Sequence, residues 1–325
     1  MKSWKKMLAT VVAGVLSLSL LSGCKEDKKA ESASWPSQPV TIITPWAVGG
    51  LADQIARAMT EYGKEQYGQP LLADNILGSG GAVALTEYLK EKPNTHKLIL
   101  GGEGSFAIAP LSMKVAYKFE DYVPIINIYS STFVLLANPK VGVASFDDLQ
   151  KLIATDKTVK IATNGTASSE AMQVAALFTE MEGKFKIIPY EGANEALTAV
   201  VSGEVDFAVT HASLAREFVK AGNVNPVVAF NEKRLVDDVY NLDSVVEHGY
   251  DTWMTNICAV FIRAGTDQAI IDKNYTALKA ILENPKLQAT AKNIGLTLDI
   301  KDGAAVKAYI DSTIAKAEKY SKLVK

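Results

Sequence analysis

Residues 40–57 read V-T-I-I-T-P-W-A-V-G-G-L-A-D-Q-I-A-R, an apolar, β-branched run followed by a proline, two glycines and a helix-compatible pattern. The β-branched run predicts a strand over Val40–Thr44, and the apolar spacing beyond the glycines predicts an amphipathic helix. Because the first N–H groups of a helix have no partner within it, a loop containing Gly49 and Gly50 can direct several of them at one point. The stretch therefore predicts a strand, an anion-binding loop and a helix.

Two further polar turns that contain glycine, at residues 75–86 and 159–172, also stand directly before helix-compatible segments. Short apolar runs alternate with segments of helical spacing along the rest of the chain, which predicts an α/β fold. Strands bounded by helices on both sides are expected to be mostly parallel, with ligands bound at their carboxyl ends. The predicted strands cover Val40–Thr44, Leu98–Gly101, Val134–Ala137, Val159–Ala162, Lys186–Pro189, Val205–Val209, Pro226–Phe230 and Cys258–Ile262.

The composition is that of a globular protein with room for two domains: 325 residues, of which 48% are hydrophobic and 22% charged. Disordered and fibrous classes of protein are excluded by these values. Long apolar runs at residues 132–139 and 257–265 end in turn residues. We expect the chain to cross between two lobes at these runs.

The first residues have the plan of a bacterial export signal, with three lysines before the apolar run Met7–Leu21. The run ends in Leu-Ser-Gly-Cys at residues 21–24, which resembles a lipobox. A membrane-spanning helix is the alternative, but the apolar run is shorter than the ~20 residues that a span needs. We therefore expect a signal peptide over residues 1–23, a lipid anchor on Cys24 and a polar tether over residues 24–34.

Cleavage before Cys24 removes three of the 34 basic residues and none of the 36 acidic ones, which leaves a formal charge of −5. No basic patch for nucleic acid is implied, so we expect no nucleic-acid partner. Cys258 is then the one unmodified cysteine, and its apolar surroundings predict a buried structural thiol.

The sequence contains no complete catalytic or metal-binding motif. The segment Gly102–Ala107 begins like a nucleophile elbow around Ser105, but the closing glycine is missing. The histidines at 96, 211 and 248 lack metal-ligand spacing. We therefore predict a binding protein without enzymatic activity, cofactor or metal, and keep a surface hydrolase using Ser105 as an alternative.

The chain resembles the Bug family, the extracytoplasmic solute receptors of tripartite tricarboxylate transporters. The resemblance rests on W-P-S-Q-P-V-T-I-I-T-P-W-A-V-G-G-L-A-D at 35–53 and D-N-I-L-G-S-G-G at 74–81. Shorter matches follow in the family's order at residues 101–110, 117–125, 134–139, 163–169, 188–197 and 202–207.

This resemblance implies a two-lobed periplasmic binding protein fold of type II-like topology. Lobe 1 would comprise residues 35–135 and 258–325, and lobe 2 residues 136–257. The implied protein is a monomer in the periplasm or at the cell surface, anchored to the bacterial membrane by lipid. It would close on a small carboxylated solute and deliver it to the membrane subunits of a tripartite transporter; a receptor for a membrane sensor is the alternative.

The resemblance also implies a set of ligand-binding residues. Two loops of the first lobe would hold a carboxylate through backbone amides and ordered water, and the second lobe would contact the distal end of the solute. Tyr190 can offer its hydroxyl, and His211 can contact the ligand or titrate near neutral pH. The implied residues are Trp46, Ala47, Gly49, Gly50, Asp53, Gly78, Ser79, Gly80 and Ser105 in the first lobe, and Asn164, Gly165, Thr166, Ser168, Tyr190, Thr210 and His211 in the second.

Two departures from the family pattern concern the solute. Leu51 stands where many relatives have a small hydroxyl residue, and Glu170 stands where a neutral residue is common. If Glu170 faces the cleft, a plain dicarboxylate would be repelled and a ligand with an amino group favoured. This remains a hypothesis at the level of sequence.

Overall fold

The computed structural model describes residues 34–321. The signal peptide expected over 1–23, Cys24 and the tether up to residue 33 lie outside the described residues. Within residues 34–321, no helix combines the length and the apolar character needed to cross a membrane.

The strands, in chain order, are β1 (Val40–Thr44), β2 (Leu71–Asn75), β3 (Lys97–Gly101), β4 (Tyr122–Ser131), β5 (Phe133–Ala137), β6 (Val159–Asn164), β7 (Phe185–Tyr190), β8 (Phe207–His211), β9 (Asn225–Phe230), β10 (Leu235–Val236), β11 (Asn241–Leu242), β12 (Asn256–Arg263) and β13 (Leu298–Asp302). The α-helices are α1 (Leu51–Tyr67), α2 (Ala82–Tyr88), α3 (Ala109–Ser112), α4 (Phe146–Ile153), α5 (Ser169–Glu180), α6 (Ala193–Ser202), α7 (Ala212–Lys220), α8 (Gln268–Leu282), α9 (Pro285–Asn293) and α10 (Gly303–Ser321).

The longer strands form two sheets, and helices cover both faces of each. The first sheet has the order β13-β4-β12-β3-β1-β2, and the second has the order β7-β6-β8-β5-β9. We call the first sheet with its helices lobe 1, and the second sheet with α4–α7 lobe 2. The α/β class is confirmed.

Both sheets are mixed, whereas the sequence predicted mostly parallel pairing. In the first sheet β1 pairs in parallel with β2 and β3, but β12 is antiparallel to β3 and β4, and β13 is antiparallel to β4. In the second sheet β5 is antiparallel to both β8 and β9. The antiparallel strands include β4, β5 and β12, which carry the chain between the lobes, so their direction is set by the crossing and not by a preceding helix.

The crossings lie at or beside the expected runs, but the lobe boundaries are shifted by a few residues. The chain leaves the first sheet at the end of β4 and enters the second at β5, with Thr132 between them, and it returns at β12. Boundaries at 135/136 and 257/258 fall inside β5 and β12, each of which belongs wholly to one sheet.

Alternation along the strands builds a core on each side of each sheet. Val40 and Ile42 pack with Ile55 and Met59 of α1, while Ile43 packs on the opposite face among side chains of α2 and α10. The second sheet follows the same rule, with one face against α4 and α5 and the other against α6 and α7. Each lobe therefore has hydrophobic cores of its own. Burying one such side chain contributes about 1.5–3 kcal/mol to the stability of the fold.

Candidate functional site

Four helices begin at one cavity between the lobes. Each follows a strand: α1 follows β1, α5 follows β6, α6 follows β7 and α7 follows β8. The N-cap residues of α1, α6 and α7 are Gly50, Gly192 and His211, and none of the three provides a side-chain cap among the described residues. Ser168 caps α5 by accepting a hydrogen bond from the Ala171 amide at 3.2 Å. Backbone N–H groups of three helices are therefore left for a ligand.

The cavity has a volume of about 130 Å³. This is room for several ordered waters or one small organic molecule. Its walls come from both lobes: Trp46, Ala47, Val48, Gly50, Leu51, Ala52, Gly80, Gly102, Glu103, Gly104, Ser105, Tyr129, Asn256 and Ile257 from lobe 1, and Asn164, Ala167, Ser168, Ser169, Glu170, Glu191, Gly192, Ala193, Asn194, Glu195, His211 and Leu214 from lobe 2.

The first loop is held in place by Asp53, which is buried in the first turn of α1. Its carboxylate accepts hydrogen bonds from the Gly49 amide at 2.9 Å and from Arg57 at 3.0 Å. Burial raises the pKa of Asp53, but the hydrogen bonds from Arg57 and Gly49 outweigh it and bring the pKa below its usual value. Asp53 and Gly49 do not line the cavity; they fix the loop that presents Trp46, Ala47 and Gly50 to it.

The second loop reaches the cavity only at Gly80. Four consecutive residues have positive φ, with Gly78 at 133°, Ser79 at 50°, Gly80 at 63° and Gly81 at 102°. Such values favour glycine, which explains the three glycines of this loop; Ser79 adopts a positive φ as well. Gly78 and Ser79 do not line the cavity.

Ser105 lies in a π-helical turn over Gly104–Ile108, directly after β3. Ser105 lines the cavity and is 3% exposed. Its Oγ has no hydrogen-bond partner within the part of the chain that the structure describes. A buried hydroxyl without a partner is costly unless a ligand or water satisfies it, so Ser105 points to a bound polar molecule.

Glu103 joins the two lobes. Its carboxylate accepts hydrogen bonds from the Ser169 hydroxyl of lobe 2 at 2.6 Å, and from the Asn256 side chain at 3.0 Å and the Ile257 amide at 2.9 Å in lobe 1. Burial raises the pKa of Glu103, although these hydrogen bonds oppose the shift. The residue is 1% exposed and faces the cavity.

Glu170, in the first turn of α5, lines the same cavity and is 4% exposed. Burial raises its pKa to about 8, and the charge of Glu103 acts in the same direction. The carboxyl is therefore mostly protonated at pH 7 while the cavity is empty of cations.

Of the second-lobe residues, Asn164, Ser168 and His211 line the cavity, and the remaining four do not. Thr166 is exposed and Gly165 forms the turn behind it. The Tyr190 hydroxyl donates to Glu204 at 2.9 Å, which holds it outside the cavity, and Thr210 is fully buried within β8.

His211 does not titrate near neutral pH. Burial lowers its pKa to about 4, so the imidazole is neutral at pH 7. Its Nδ1 lies 2.8 Å from the Ser131 hydroxyl, and the ring contacts Phe133 at 4.7 Å between centroids. These contacts orient the ring at the N-terminus of α7.

Several residues that line the cavity were not predicted from the sequence. Gly192 and its neighbours form another strand–loop–helix turn, the signal that identified the first loop, so they could have been found. Tyr129 lies on β4, which was not predicted as a strand, and Asn256 and Ile257 lie before the predicted start of β12. Within residues 34–321 no group of three or more His, Cys, Asp or Glu side chains is arranged to hold a metal.

The chain is similar in sequence and in fold to several known proteins. BugT of Bordetella pertussis is 27% identical over 247 residues, which are 73% of this chain and 74% of BugT. MatC of Rhodopseudomonas palustris, solved with bound malate, superposes with a TM-score of 0.79 at 23% identity and covers 88% of this chain and 100% of its own. Rpa4515 of R. palustris, solved with adipate, has a TM-score of 0.80 at 21% identity and covers 89% of this chain and 98% of its own.

These likenesses confirm the expected fold and the resemblance to Bug proteins. The model of the tripartite tricarboxylate transporter family receptor matches residues 55–324, which is most of the chain. The chain therefore belongs to the family of tripartite tricarboxylate transporter receptors, a class of solute-binding proteins.

Proposed function

We propose that this protein captures a small carboxylated solute between its two lobes and delivers it to the membrane subunits of a tripartite tricarboxylate-type transporter. The observation that carries the proposal is the meeting of four helix N-termini, from both lobes, at one small cavity. A helix N-terminus carries about half a positive elementary charge and several unpaired N–H groups. Three of the four are without a side-chain cap in the described structure, so they suit a carboxylate.

Backbone donors also suit a transport receptor. They hold an anion by several charge-assisted hydrogen bonds, and no lysine or arginine is needed to neutralise it. Such a site can release its ligand when the lobes part. It also explains how a net acidic chain can bind an anion, because the local field of the helices decides the affinity.

Lining residues of the two lobes lie close to each other at two places, which is the arrangement expected of a closed receptor. A Cβ atom added to Gly80 of lobe 1 would lie 3.9 Å from the Ala167 carbonyl oxygen of lobe 2. One added to Gly192 of lobe 2 would lie 3.8 Å from the Ala47 side chain of lobe 1. A solute that contacts both lobes favours the closed form, and the membrane partner would recognise that form.

We further propose that the protein is exported, lipidated on Cys24 and held at the membrane surface by its tether, on the bacterial periplasmic side or the cell surface. The ligand-binding role involves no enzymatic step. Ser105 has no base within hydrogen-bond distance of its Oγ among the described residues, which argues against a serine hydrolase.

Thermal-shift measurements on the full chain in mild detergent test the proposed function. We would screen mono-, di- and tricarboxylates, including malate and adipate, together with amino acids. A ligand at 100 times its Kd stabilises the folded state by about 2.7 kcal/mol, which raises the melting temperature by several degrees. If no carboxylate in the panel stabilises the chain, the proposed function is wrong.

A further inference from the structure

The charged side chains around the cavity are all acidic. Glu103 and Glu170 are buried in its walls, and Glu191 and Glu195 stand at its exposed rim. Among the described lining residues none is lysine or arginine. A cavity that takes an anion through helix N-termini thus also has carboxyl groups, which repel a plain anion when they are ionised.

The two buried glutamates differ in their partners. Glu103 accepts three hydrogen bonds from protein donors, so its oxygens are occupied. The groups that stabilise the charge of Glu170 are its own backbone and the Ser168 hydroxyl, and no cation is among them. Glu170 therefore has acceptor capacity left for a ligand.

Ser105 provides an independent sign that a polar ligand occupies this space. Ser105 lines the same cavity as Glu170, and its buried Oγ has no partner among residues 34–321. A hydroxyl can donate to a carboxylate and accept from an ammonium group. A ligand that carries both groups would satisfy Ser105, the helix N-termini and Glu170 together.

We propose that the solute is an amino acid, whose carboxylate is held by the helix N-termini and whose protonated amino group donates a hydrogen bond to Glu170. This inference rests on the proposed function and names the class of solute. A net charge of zero on the ligand suits four surrounding glutamates better than a dicarboxylate does. Glu170 would be the residue that selects the amino acid over the corresponding plain acid.

The pH dependence of binding has a definite sign. The titratable groups near Glu170 are Glu103 and Tyr129, and His211, Glu191 and Glu195 face the same cavity. An ammonium group requires ionised Glu170, so binding releases a proton wherever the empty site holds one. Affinity should then rise by roughly tenfold per pH unit at pH values below the pKa of Glu170. A plain anion that accepts a hydrogen bond from protonated Glu170 would show the opposite trend.

The test compares amino acids with their des-amino analogues by isothermal titration calorimetry on the full chain in mild detergent. The pairs are L-alanine with propionate, L-leucine with 4-methylpentanoate, L-phenylalanine with 3-phenylpropionate and L-glutamate with glutarate. Each pair is titrated at pH 6, 7 and 8, into wild type, Glu170→Gln and the control Glu180→Gln. Glu180 lies exposed at the last residue of α5, outside the cavity, so its substitution changes the same helix without touching the site.

We expect at least one amino acid to bind wild type about tenfold or more tightly than its analogue, with affinity that rises from pH 6 to pH 8. Glu170→Gln should lose both the preference and the pH dependence, and Glu180→Gln should keep both. If Glu170→Gln does not fold, the wild-type preference and its pH trend still decide the question.

Three results would overturn the inference: plain acids that bind as tightly as their amino partners, an amino preference unchanged in Glu170→Gln, or affinity that falls as the pH rises. The first of these leaves the proposed function standing, because a carboxylate still binds. If neither acids nor amino acids bind, the proposed function and the inference both fail.

Discussion

The hydrogen bond between Ser169 and Glu103 offers a sharp test of lobe closure, because it crosses the cleft. Ser169 is the first residue of α5 in lobe 2, and its hydroxyl donates to the Glu103 carboxylate of lobe 1 at 2.6 Å. The other two donors to Glu103 come from its own lobe. Opening the lobes would therefore break the Ser169 bond and leave the other two intact.

The substitution Ser169→Ala removes this bond from the closed form only. A hydrogen bond to a charged group contributes about 1.5–3 kcal/mol, and about 1.4 kcal/mol corresponds to tenfold in Kd. Because Asn256 and Ile257 still satisfy Glu103, we expect a value at the lower end of that range. Ser169→Ala should weaken binding by about tenfold, through a smaller population of closed molecules.

The assay is isothermal titration calorimetry with the solute that stabilises the wild-type chain most in the thermal-shift screen. Ser145→Ala is the matched control. Ser145 caps α4 in lobe 2 by accepting a hydrogen bond from the Asp148 amide at 3.2 Å, and it does not line the cavity. The variant Ser145→Ala should lose about 1 kcal/mol of stability and bind the solute with an unchanged Kd.

The reasoning is refuted if folded Ser169→Ala binds that solute as tightly as wild type, or if Ser145→Ala loses as much affinity. Small-angle X-ray scattering gives a second readout. At a solute concentration near the Kd of the variant, Ser169→Ala should retain a larger radius of gyration than wild type.

Three further predictions concern stability. Because burial raises the pKa of Glu170 to about 8 from 4.5, the folded chain holds a proton between these values that the unfolded chain releases. The free energy of unfolding should therefore fall as the pH rises through this window, by up to about 1.4 kcal/mol per pH unit. In urea unfolding, this free energy should depend less on pH in Glu170→Gln than in wild type. An equal dependence on pH in the two proteins would contradict the burial of Glu170. In Gly63→Ala the new Cβ would clash with the Cβ of Leu71 at the start of β2, so we expect a loss of about 1–3 kcal/mol of stability. An unchanged melting temperature would count against this packing. Tyr67→Phe removes the buried bond to Asn274 at 3.0 Å and should cost about 1–3 kcal/mol in urea unfolding, whereas half-buried Tyr62→Phe on the same helix should cost much less.

Much of the fold could be predicted from local patterns. β1 begins and ends at the predicted residues, and seven other strands overlap the apolar runs that predicted them. The strands that were missed have weaker signals: β10 and β11 have two residues each, β2 and β13 lie at the edges of their sheet, and β4 contains Pro124 and Asn127. A long apolar run marks a strand that is buried on both faces. The edge strands are partly exposed, and in β4, which is buried, the polar Asn127 interrupts the apolar run.

The sequence by itself determined the α/β class, the strand–loop–helix units that place helix N-termini at a site, and the family. These features depend on residues close together in the chain, whose spacing sets backbone conformation. Only the tertiary structure decided which loop residues reach the cavity, that Asp53 and Gly49 form a hydrogen bond with each other within the loop, and that Glu103 and Glu170 line the same cavity. Burial and distance between lobes depend on contacts between residues far apart in the sequence, and it is burial that gives Glu170 its raised pKa and its proposed part in selecting the solute.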